Sequence, residues 1–119
     1  MESLVDILNS DEVLRRHGRY YSTRLSIISD EDEYHFDISD GEVSPVASVD
    51  PDFGFSLCGS KAVWIKFCQE IPPPEHHELG ALIASEHLEV KGDMYALQSN
   101  FMYVRRLLEL WRNDQRSRE

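Results

Sequence analysis

The first thirty residues change from a helical to an extended pattern of apolar positions. Apolar side chains recur at the spacing of one helix face at Leu4, Ile7, Leu8 and Leu14. This spacing predicts a helix over about residues 3–17, with a break near Ser10 and an end at Gly18. The following stretch, residues 20–28, is rich in tyrosine, threonine and isoleucine, and this composition predicts the first strand.

An alternation of apolar and polar residues predicts the second strand. From Tyr34 to Ser39 every other residue is apolar, which is typical of a strand with one buried and one solvated face. The acidic run 30–33 forms the turn before this strand, and the pair Asp40-Gly41 is a strong signal for a tight turn after it. We therefore expect a hairpin with a solvated acidic tip.

Two more strands are expected before the pattern becomes helical again. Residues 42–49 predict a third strand, and because Pro45 has no N–H to donate, this strand should be bulged or lie at an edge. Apolar residues alternate once more over residues 53–57 and predict a fourth strand. The four strands in succession suggest a meander, in which each strand pairs with the one before it.

The middle of the chain returns to helical spacing after Ser60, a suitable N-cap. Apolar side chains recur on one helix face at Trp64, Phe67, Cys68 and Ile71. The prolines 72–74 end this helix, and Pro74 suits the first position of a short third helix. Residues 88–90 alternate and predict a short fifth strand, after which Asp93 is placed to cap the last helix.

The last helix has the most regular pattern in the chain. Bulky apolar residues step by three and four positions at Met94, Leu97, Phe101, Val104, Leu108 and Trp111. Such a stripe is typical of an amphipathic helix, and we expect it to cover the sheet rather than to form a coiled coil. Arginines crowd its end at Arg105, Arg106, Arg112, Arg116 and Arg118. They suit the negative end of the helix dipole, or a docking patch for an acidic partner. Residues 113–119 are expected to fray.

Length and charge narrow the possible functions. The 119 residues, 41% of them hydrophobic, suffice for one domain, residues 1–119, with one core. The formal net charge is −10, and residues 1–60 contain 13 acidic but only 4 basic side chains. Because nucleic acids and anionic membranes are bound mainly through Lys and Arg, we expect neither as a partner. No apolar run approaches the roughly 20 residues of a membrane span, so we expect no stable membrane insertion.

The cysteines and the two ends of the chain indicate a cytoplasmic protein. Cys58 and Cys68 lack the spacing of a metal site or of a CxxC pair, and we expect both to be buried thiols. The N-terminus has the pattern of neither a signal peptide nor a transit peptide, and the C-terminus is not a peroxisomal address. We therefore expect the protein in the reducing cytoplasm.

The sequence contains none of the glycine-rich, nucleophile-elbow or zinc-protease motifs that mark common enzymes. His76 and His77 are adjacent, and because neighbouring helix residues point about 100° apart, they share no face for a metal. His35 and Asp37 lie on one face of the second predicted strand, which is expected to be solvated. We therefore expect no catalytic residue, no metal and no cofactor.

Three short motifs resemble the sterol carrier protein type 2 family. They are Phe55-Ser56-Leu57-Cys58-Gly59-Ser60, Trp64-Ile65-Lys66-Phe67 and Leu88-Glu89-Val90-Lys91-Gly92-Asp93. The last motif is similar to the short strand, Gly-Asp turn and closing helix of the family. The Asp40-Gly41 hairpin turn also matches the layout of the family.

This resemblance implies both a fold and a function. The implied fold is α+β, with a mostly antiparallel sheet of four or five strands covered by four or five helices, and it encloses an apolar tunnel. The implied function is non-catalytic binding of a small hydrophobic ligand in that tunnel: a lipid, a fatty acyl group or a sterol-like molecule. The implied tunnel walls are Phe53, Phe55, Leu57, Trp64, Phe67, Leu79, Leu82, Ile83, Met94, Leu97, Phe101, Met102 and Leu108.

Two other functions stay open from the sequence. The last helix offers a surface for a protein-interaction module, either as a homodimer or with an acidic partner at its arginine-rich end. A small pocket enzyme of a cone-shaped α+β fold is the other alternative. Such folds usually end on long strands, whereas this chain ends on a long helix, and this difference argues against the enzyme.

Overall fold

The computed structural model describes residues 3–30, 32–50 and 52–117. Within these ranges the chain forms six helices and five strands. In chain order they are α1 (Leu4–Ser10), α2 (Glu12–His17), β1 (Thr23–Ser29), β2 (Asp32–Ser39), β3 (Glu42–Pro45), β4 (Phe55–Gly59), α3 (Lys61–Phe67), α4 (Leu79–Ala84), β5 (Glu89–Gly92), α5 (Met94–Ser99) and α6 (Phe101–Ser117). The expected α+β class is confirmed.

The strands form one mixed sheet in the order β3-β2-β1-β4-β5. Three neighbouring pairs are antiparallel, whereas β4 lies parallel to β1. The sheet is thus mostly antiparallel as expected, but the expected meander was wrong at the fourth strand. β3 ends at Pro45, which cannot donate to a further neighbour, and residues 46–54 carry the chain across to the open edge of β1. The expectation that Pro45 lies on an edge strand is confirmed.

The turn between β2 and β3 joins two distant parts of the chain. Asp40 and Gly41 have φ angles of 50° and 82°, the left-handed pair of a two-residue hairpin turn. A side chain at position 41 would clash with Gly18, because an added Cβ would lie 2.5 Å from the Gly18 carbonyl oxygen. The Tyr103 hydroxyl donates to the Gly41 carbonyl at 3.1 Å. The turn therefore holds the end of α2 and the start of α6 together.

Both long helices predicted from the sequence are broken in two. Asp11 breaks the first near Ser10 as expected, and its side chain caps α2 by accepting from the Leu14 N–H at 2.9 Å. The break in the last helix was not expected. Asn100, with φ −141° and ψ 49°, separates α5 from α6. The break leaves the apolar residues in phase, so the stripe has the pattern of one continuous helix.

α6 extends further than the sequence indicated. The expected frayed tail, residues 113–119, is helical through Ser117. Asp114 is only 8% exposed, and the Ser117 hydroxyl donates to the Asp114 carbonyl at 2.8 Å. Burial of this turn explains why helical order persists beyond Arg112. Residues 118 and 119 lie outside the described ranges.

α4 begins later than expected. A helix starting at Pro74 is prevented by Glu75, whose φ of 71° is left-handed and does not fit a right-handed helix. The helix begins instead at Leu79, where the Glu78 carboxylate accepts from two N–H groups of the first turn. Ile71, expected on the apolar stripe of α3, lies after that helix and is 85% exposed.

The helices pack on one face of the sheet. The buried apolar residues of the strands alternate along the chain, at Leu25, Ile27, Phe36, Ile38, Val43, Phe55 and Leu57. They form one core with the apolar stripe of α6. The other face of the sheet carries polar side chains, among them Arg24 and Asp37, which pair at 3.1 Å. The fold therefore has one apolar layer, between the sheet and the helices, where the expected tunnel would lie.

Candidate functional site

Most of the thirteen residues expected to line a tunnel lie in the apolar layer. Eight of them are at most 3% exposed: Phe55, Leu57, Trp64, Phe67, Leu79, Leu82, Leu97 and Leu108. Ile83 and Phe101 are partly buried and pack against this core. Phe53, Met94 and Met102 are instead 73%, 43% and 49% exposed. The structure therefore brings ten of the thirteen into or against one packed layer and places three at the surface.

α5 closes one end of this layer and is attached by few polar contacts. Asp93 caps it by accepting from the Ala96 N–H at 3.2 Å, and Asn100 ends it. The Tyr21 hydroxyl donates to the Ala96 carbonyl, and Leu97 enters the core at 2% exposure. α5 is thus a six-residue helix between the cap Asp93 and Asn100, attached to the rest of the domain by the Tyr21 hydroxyl and by the buried side chains of Ala96 and Leu97.

Two buried phenols lie beside α5. Tyr21 and Tyr103 meet edge to face with their ring centroids 5.1 Å apart. Burial raises the pKa of both hydroxyls well above the usual value, so both stay neutral hydrogen-bond donors throughout the ordinary pH range. Tyr21 was not expected at the site from the sequence, where it appeared only as part of a strand.

Exposed apolar side chains surround this end of the layer. The Asp93 N–H donates to the Gly54 carbonyl at 2.9 Å, which places the segment before β4 next to the start of α5. Phe53 and Met94 are each one residue from this bond, and Tyr95 is 77% exposed. Flexible Met side chains and an exposed aromatic ring are typical of surfaces that meet an apolar partner or ligand.

A second feature, the aromatic cleft, lies at the opposite end of the sheet. It has a volume of about 120 Å³ and is lined by Ser29, Asp32, Tyr34, Lys61, Trp64, Ile65, Cys68, Trp111 and Gln115. Of the thirteen expected residues, Trp64 alone contributes to its wall. Sequence reasoning assigned Tyr34 and Trp111 to the buried face of a strand and of a helix, but nothing in the spacing showed that they meet.

Three aromatic rings line the cleft, those of Tyr34, Trp64 and Trp111, and a fourth ring, that of Phe67, packs against Trp111. The Trp111 centroid lies 5.3 Å from that of Trp64 and 5.6 Å from that of Tyr34, both edge to face. Phe67 stacks on Trp111 with its centroid 6.3 Å away. Edge-to-face and offset stacked pairs are the favoured geometries for aromatic rings. Each ring therefore restricts the positions that its neighbours can take.

A larger polar groove of about 660 Å³ lies beside α1, α2 and the β2–β3 turn. Its lining is charged: Asn9, Glu12, Arg15, Arg16, Arg19, Asp40, Gly41 and Glu42. Arg16 pairs with Glu12 at 2.8 Å, and Asn9 bonds the backbone of Val43 through both its amide atoms. This lining does not suit an apolar ligand.

His35 and Asp37, which lie on the polar face of β2, make separate contacts. Asp37 pairs with Arg24, whereas His35 Nδ1 lies 2.6 Å from the Ser26 hydroxyl and His35 Nε2 lies 3.7 Å from Glu33. Ser26 is 1% exposed, so a substrate does not reach this hydroxyl. Ser26 and His35 therefore form a polar contact within the sheet, and Glu33 lies beside them at the surface.

The two adjacent histidines lie in the loop before α4 and not on a helix as the sequence suggested, and their side chains have different surroundings. His76 is buried, stacks on His87 with ring centroids 4.3 Å apart and has its Nδ1 2.9 Å from the Pro74 carbonyl. His77 is exposed, and its carbonyl accepts from Arg112. Among the described residues no group of three His, Cys, Asp or Glu side chains is placed to hold a metal ion.

The arginines of α6 are bound within the chain. Arg106 pairs with Asp11 at 2.8 Å and thereby lowers the pKa of that carboxyl. Arg105 pairs with Glu78 at 3.3 Å. Arg112 and Arg116 donate to the backbone of the 68–78 loop, and Arg112 also lies over the Phe67 ring. These contacts explain the arginines without an acidic partner; Arg118 lies outside the described ranges.

The two cysteines are less buried than expected from the sequence. Cys58 and Cys68 are half-buried and form no disulfide with each other, and burial raises the pKa of Cys58.

The stripe of α6 packs inward, as expected, and is not exposed for pairing. No helix in the described part of the chain is both long enough and apolar enough to cross a membrane.

Comparison with known proteins gives a likeness of structure. Neither a protein-family model nor a curated protein matches the chain. Sterol carrier protein 2 superposes with a TM-score of 0.72 and 16% identity, over 92% of this chain and 90% of that one. The UbiJ-SCP2 ubiquinone synthesis protein superposes with a TM-score of 0.56 and 20% identity, over 90% and 87%.

A third similar structure belongs to a much longer enzyme. The stereoselective inverting sec-alkylsulfatase Pisa1 from Pseudomonas sp. superposes with a TM-score of 0.52 and 13% identity, over 75% of this chain but 14% of that one. At such identities the likeness concerns the fold alone. The element order, the mixed five-stranded sheet and the superposition over nine-tenths of both chains agree, and the chain has the fold of sterol carrier protein 2.

Proposed function

We propose that this protein binds a small hydrophobic ligand without chemical conversion, in the apolar layer between the sheet and the helices. A lipid, a fatty acyl group or a sterol-like molecule has the required chemistry. The ligand would displace the contacts made by the expected lining residues, from Phe55 and Leu57 on the sheet to Leu97 and Leu108 on the helices. We further propose that the chain works as one domain in the cytoplasm, without nucleic acid as a partner.

The observation that supports this proposal most is the single apolar layer in a fold shared with sterol carrier protein 2 over 92% of the chain. The name of that protein, and the SCP2 domain of the UbiJ protein, indicate that this fold is used for lipid-related molecules. Most of the large buried side chains of the fold are apolar or aromatic, which is typical of small-molecule sites.

A closed layer is what a ligand-free binder of this kind should have. An empty tunnel of roughly 300 Å³ would cost about 7 kcal/mol, at about 24 cal/mol per Å³ of cavity. The free energy of unfolding of a whole domain is only about 5–15 kcal/mol. The tight packing of Phe55, Leu57 and Leu82, each 0% exposed, therefore agrees with a site that opens only as a ligand enters.

α5 is the best placed element to open. It is a short helix between Asp93 and Asn100. It places Leu97 in the layer, and the Tyr21 hydroxyl donates a hydrogen bond to it. Displacement of α5 would expose the layer next to Met94 and Met102, whose flexible side chains adapt to ligands of different shape. We propose that the ligand enters beneath α5.

Native mass spectrometry of the gently purified protein, with a spectrum of its organic extract, tests the proposal. We expect a bound mass of a few hundred daltons that extracts into solvent. Stripped protein titrated with palmitate, palmitoyl-CoA and cholesterol should show an increase in melting temperature of about 4–6 °C for each kcal/mol of binding. A clean apo mass, and no shift with any of the three probes, would contradict the proposal.

A matched pair of leucine variants tests the entry route. Leu97→Ala loosens α5, whereas Leu110→Ala removes an equally sized, similarly buried side chain from α6. We expect Leu97→Ala to speed release of a bound probe well beyond Leu110→Ala, measured by stopped-flow exchange at matched stability. Equal rates in the two variants would place the entry elsewhere and leave ligand binding itself intact.

A further inference from the structure

The polar groove beside α1, α2 and the β2–β3 turn collects most of the positive charge in the first half of the chain. Residues 1–60 contain four basic side chains, Arg15, Arg16, Arg19 and Arg24, and the first three line the groove. The same half of the chain contains 13 acidic residues. All three arginines in the groove are exposed, so a ligand from solution reaches them.

The β2–β3 turn contributes acidic residues to the same groove. Asp40 and Glu42 line it and are exposed. Arg16 is already paired within its own helix at 2.8 Å, which leaves Arg15 and Arg19 as the free charge on the side of α2. Among the described residues no ion pair joins these two arginines to the two acids. The groove therefore has a positive side and a negative side that do not neutralise each other.

The backbone fixes the position of the turn relative to α2. The Gly41 N–H donates to the Tyr21 carbonyl at 2.9 Å, and an added Cβ on Gly41 would lie 2.5 Å from the Gly18 carbonyl oxygen. Asn9 bonds the backbone of Val43 through both its amide atoms. Because the turn is already in contact with the end of α2, its backbone cannot approach further to pair the charges.

A ligand that carries both charges fits this groove better than a simple ion does. The net charge of −10 repels anions from the protein as a whole, and the arginines repel a simple cation. A zwitterion offers each side its opposite charge and adds no net charge. The groove volume of about 660 Å³ lies within the range of roughly 300–1,000 Å³ that is usual for small-molecule sites.

The presence of two free arginines favours a phosphate as the anionic group. A carboxylate is planar and matches one guanidinium fork, whereas the oxygens of a phosphate point to the corners of a tetrahedron and accept from two arginines in different planes. A phosphodiester carries one negative charge, so one ammonium group makes the ligand neutral. A primary ammonium group has three N–H donors for the two carboxylates of the turn.

We propose that the polar groove binds a small zwitterion whose phosphodiester lies against Arg15 and Arg19 and whose primary ammonium group lies against Asp40 and Glu42. Such a group occurs in free small molecules and as the headgroup of a lipid. The groove lies outside the apolar layer and its ligand is polar, so this site does not depend on the function proposed above.

Titration with two matched phosphodiesters, followed in ¹H–¹⁵N spectra, tests the need for both charges. The probe is glycerophosphoethanolamine, and its control is glycerophosphoglycerol, which keeps the diester but has hydroxyl groups in place of the ammonium group. We expect the probe to shift the amide signals of Gly18 and Gly41. It should bind about fivefold tighter than the control, the effect of one favourable contact between exposed charges.

Charge-removing variants assign the two sides of the groove. Asp40→Asn combined with Glu42→Gln should abolish the preference for the probe over its control, and Asn tolerates the left-handed conformation of the turn. Arg15→Gln should weaken binding of both diesters about fivefold. Arg24→Gln is the matched control, because it removes the same charge on the polar face of the sheet, where Arg24 pairs with Asp37, and it should change neither affinity.

Vesicles separate the two sources of the ligand. Binding to phosphatidylcholine vesicles only when they contain phosphatidylethanolamine assigns the site to a lipid headgroup, whereas binding of the soluble diester alone assigns it to a free small molecule. Several results would overturn the proposal: no binding of the probe, equal affinity for the probe and its control in the unmodified protein, signal changes confined to regions outside the groove, or equal losses in Arg15→Gln and Arg24→Gln.

Discussion

The two ends of the sheet are closed in opposite ways. At one end the six-residue helix α5 covers the layer. It accepts a hydrogen bond from the Tyr21 hydroxyl and buries Leu97 in the core. At the other end the rings of Trp64, Phe67 and Trp111 lock one another around a small cleft. The seven residues of β1 separate the two ends by about 20 Å, at about 3.3 Å per residue.

The two ends therefore differ in how much they stabilise the domain and in how easily they open. Apolar area and ring contacts stabilise a structure most, whereas a short helix with few contacts opens at low cost in free energy. We therefore expect the aromatic end to contribute most to the stability of the fold, and the α5 end to have the freedom that the proposed ligand entry requires. α6 connects them, since it begins next to α5 and carries Trp111 in its second half.

The largest loss in the free energy of unfolding is expected from a substitution at the aromatic end. Trp111→Ala removes a ring that contacts three others, and we expect the free energy of unfolding to fall by about 3–5 kcal/mol. Urea unfolding measures it. The matched substitution at the other end is Leu97→Ala, for which we expect about 2–3 kcal/mol, because α5 is free to settle into the space. A larger loss for Leu97→Ala than for Trp111→Ala would reverse the comparison.

The difference between the two ends also shows what the sequence predicts well. The aromatic and leucine positions of the core follow from periodicity, because burial of a helix or strand face repeats along the chain. Phe55, Leu57, Leu97 and Leu108 were assigned in this way, and all are buried. The caps at Ser60 and Asp93 were also predictable, because short polar side chains at helix starts accept from the first-turn N–H groups.

Features that depend on contacts distant in sequence were not predictable. The parallel pairing of β4 with β1 reflects which strand edge stays open after β3, and no local pattern encodes this. The break at Asn100 keeps the apolar stripe in phase and so leaves no trace in it. The meeting of Tyr34 with Trp111 joins residues 77 positions apart, and the cleft between them appears only in three dimensions.

The start of α6 is anchored by an ion pair, which makes this part of the molecule sensitive to acid. Arg106 bonds Asp11 through two nitrogens, at 2.8 and 3.0 Å, and lowers the pKa of the Asp11 carboxyl below its usual value. A lowered pKa contributes stability that is fully present above the unfolded value, about 3.9 for Asp, and is lost as the pH falls through the folded value.

We therefore expect acid to loosen the α2–α6 contact before the aromatic end. Hydrogen exchange at pH 5 and at pH 3 measures this, once corrected for the intrinsic effect of pH. Amides of α2 should lose protection at pH 3, whereas those around Trp111 should not. Asp11→Ala should show the loss already at pH 5 and cost about 0.5–2 kcal/mol through the helix cap alone. Uniform loss of protection along α6 would contradict the assignment to Asp11.

The smallest and most local loss of stability is expected when a single oxygen atom, the Tyr21 hydroxyl, is removed. Tyr21→Phe removes the hydroxyl that donates to the Ala96 carbonyl and keeps the ring contact with Tyr103, so the free energy of unfolding should fall by about 1 kcal/mol. Amides of α5 should exchange faster, and those of α3 should not change. Tyr34→Phe is the matched control at the cleft, because no hydrogen bond of the Tyr34 hydroxyl is found among the described residues.

The outcome of this pair decides whether α5 is a separate opening unit. If Tyr21→Phe speeds exchange throughout the chain, α5 unfolds only together with the whole domain, and ligand entry beneath it would require global unfolding. If the faster exchange is confined to α5, the helix opens by itself. Local opening with an intact aromatic end is the behaviour expected of a domain in which one end admits a ligand while the other preserves the fold.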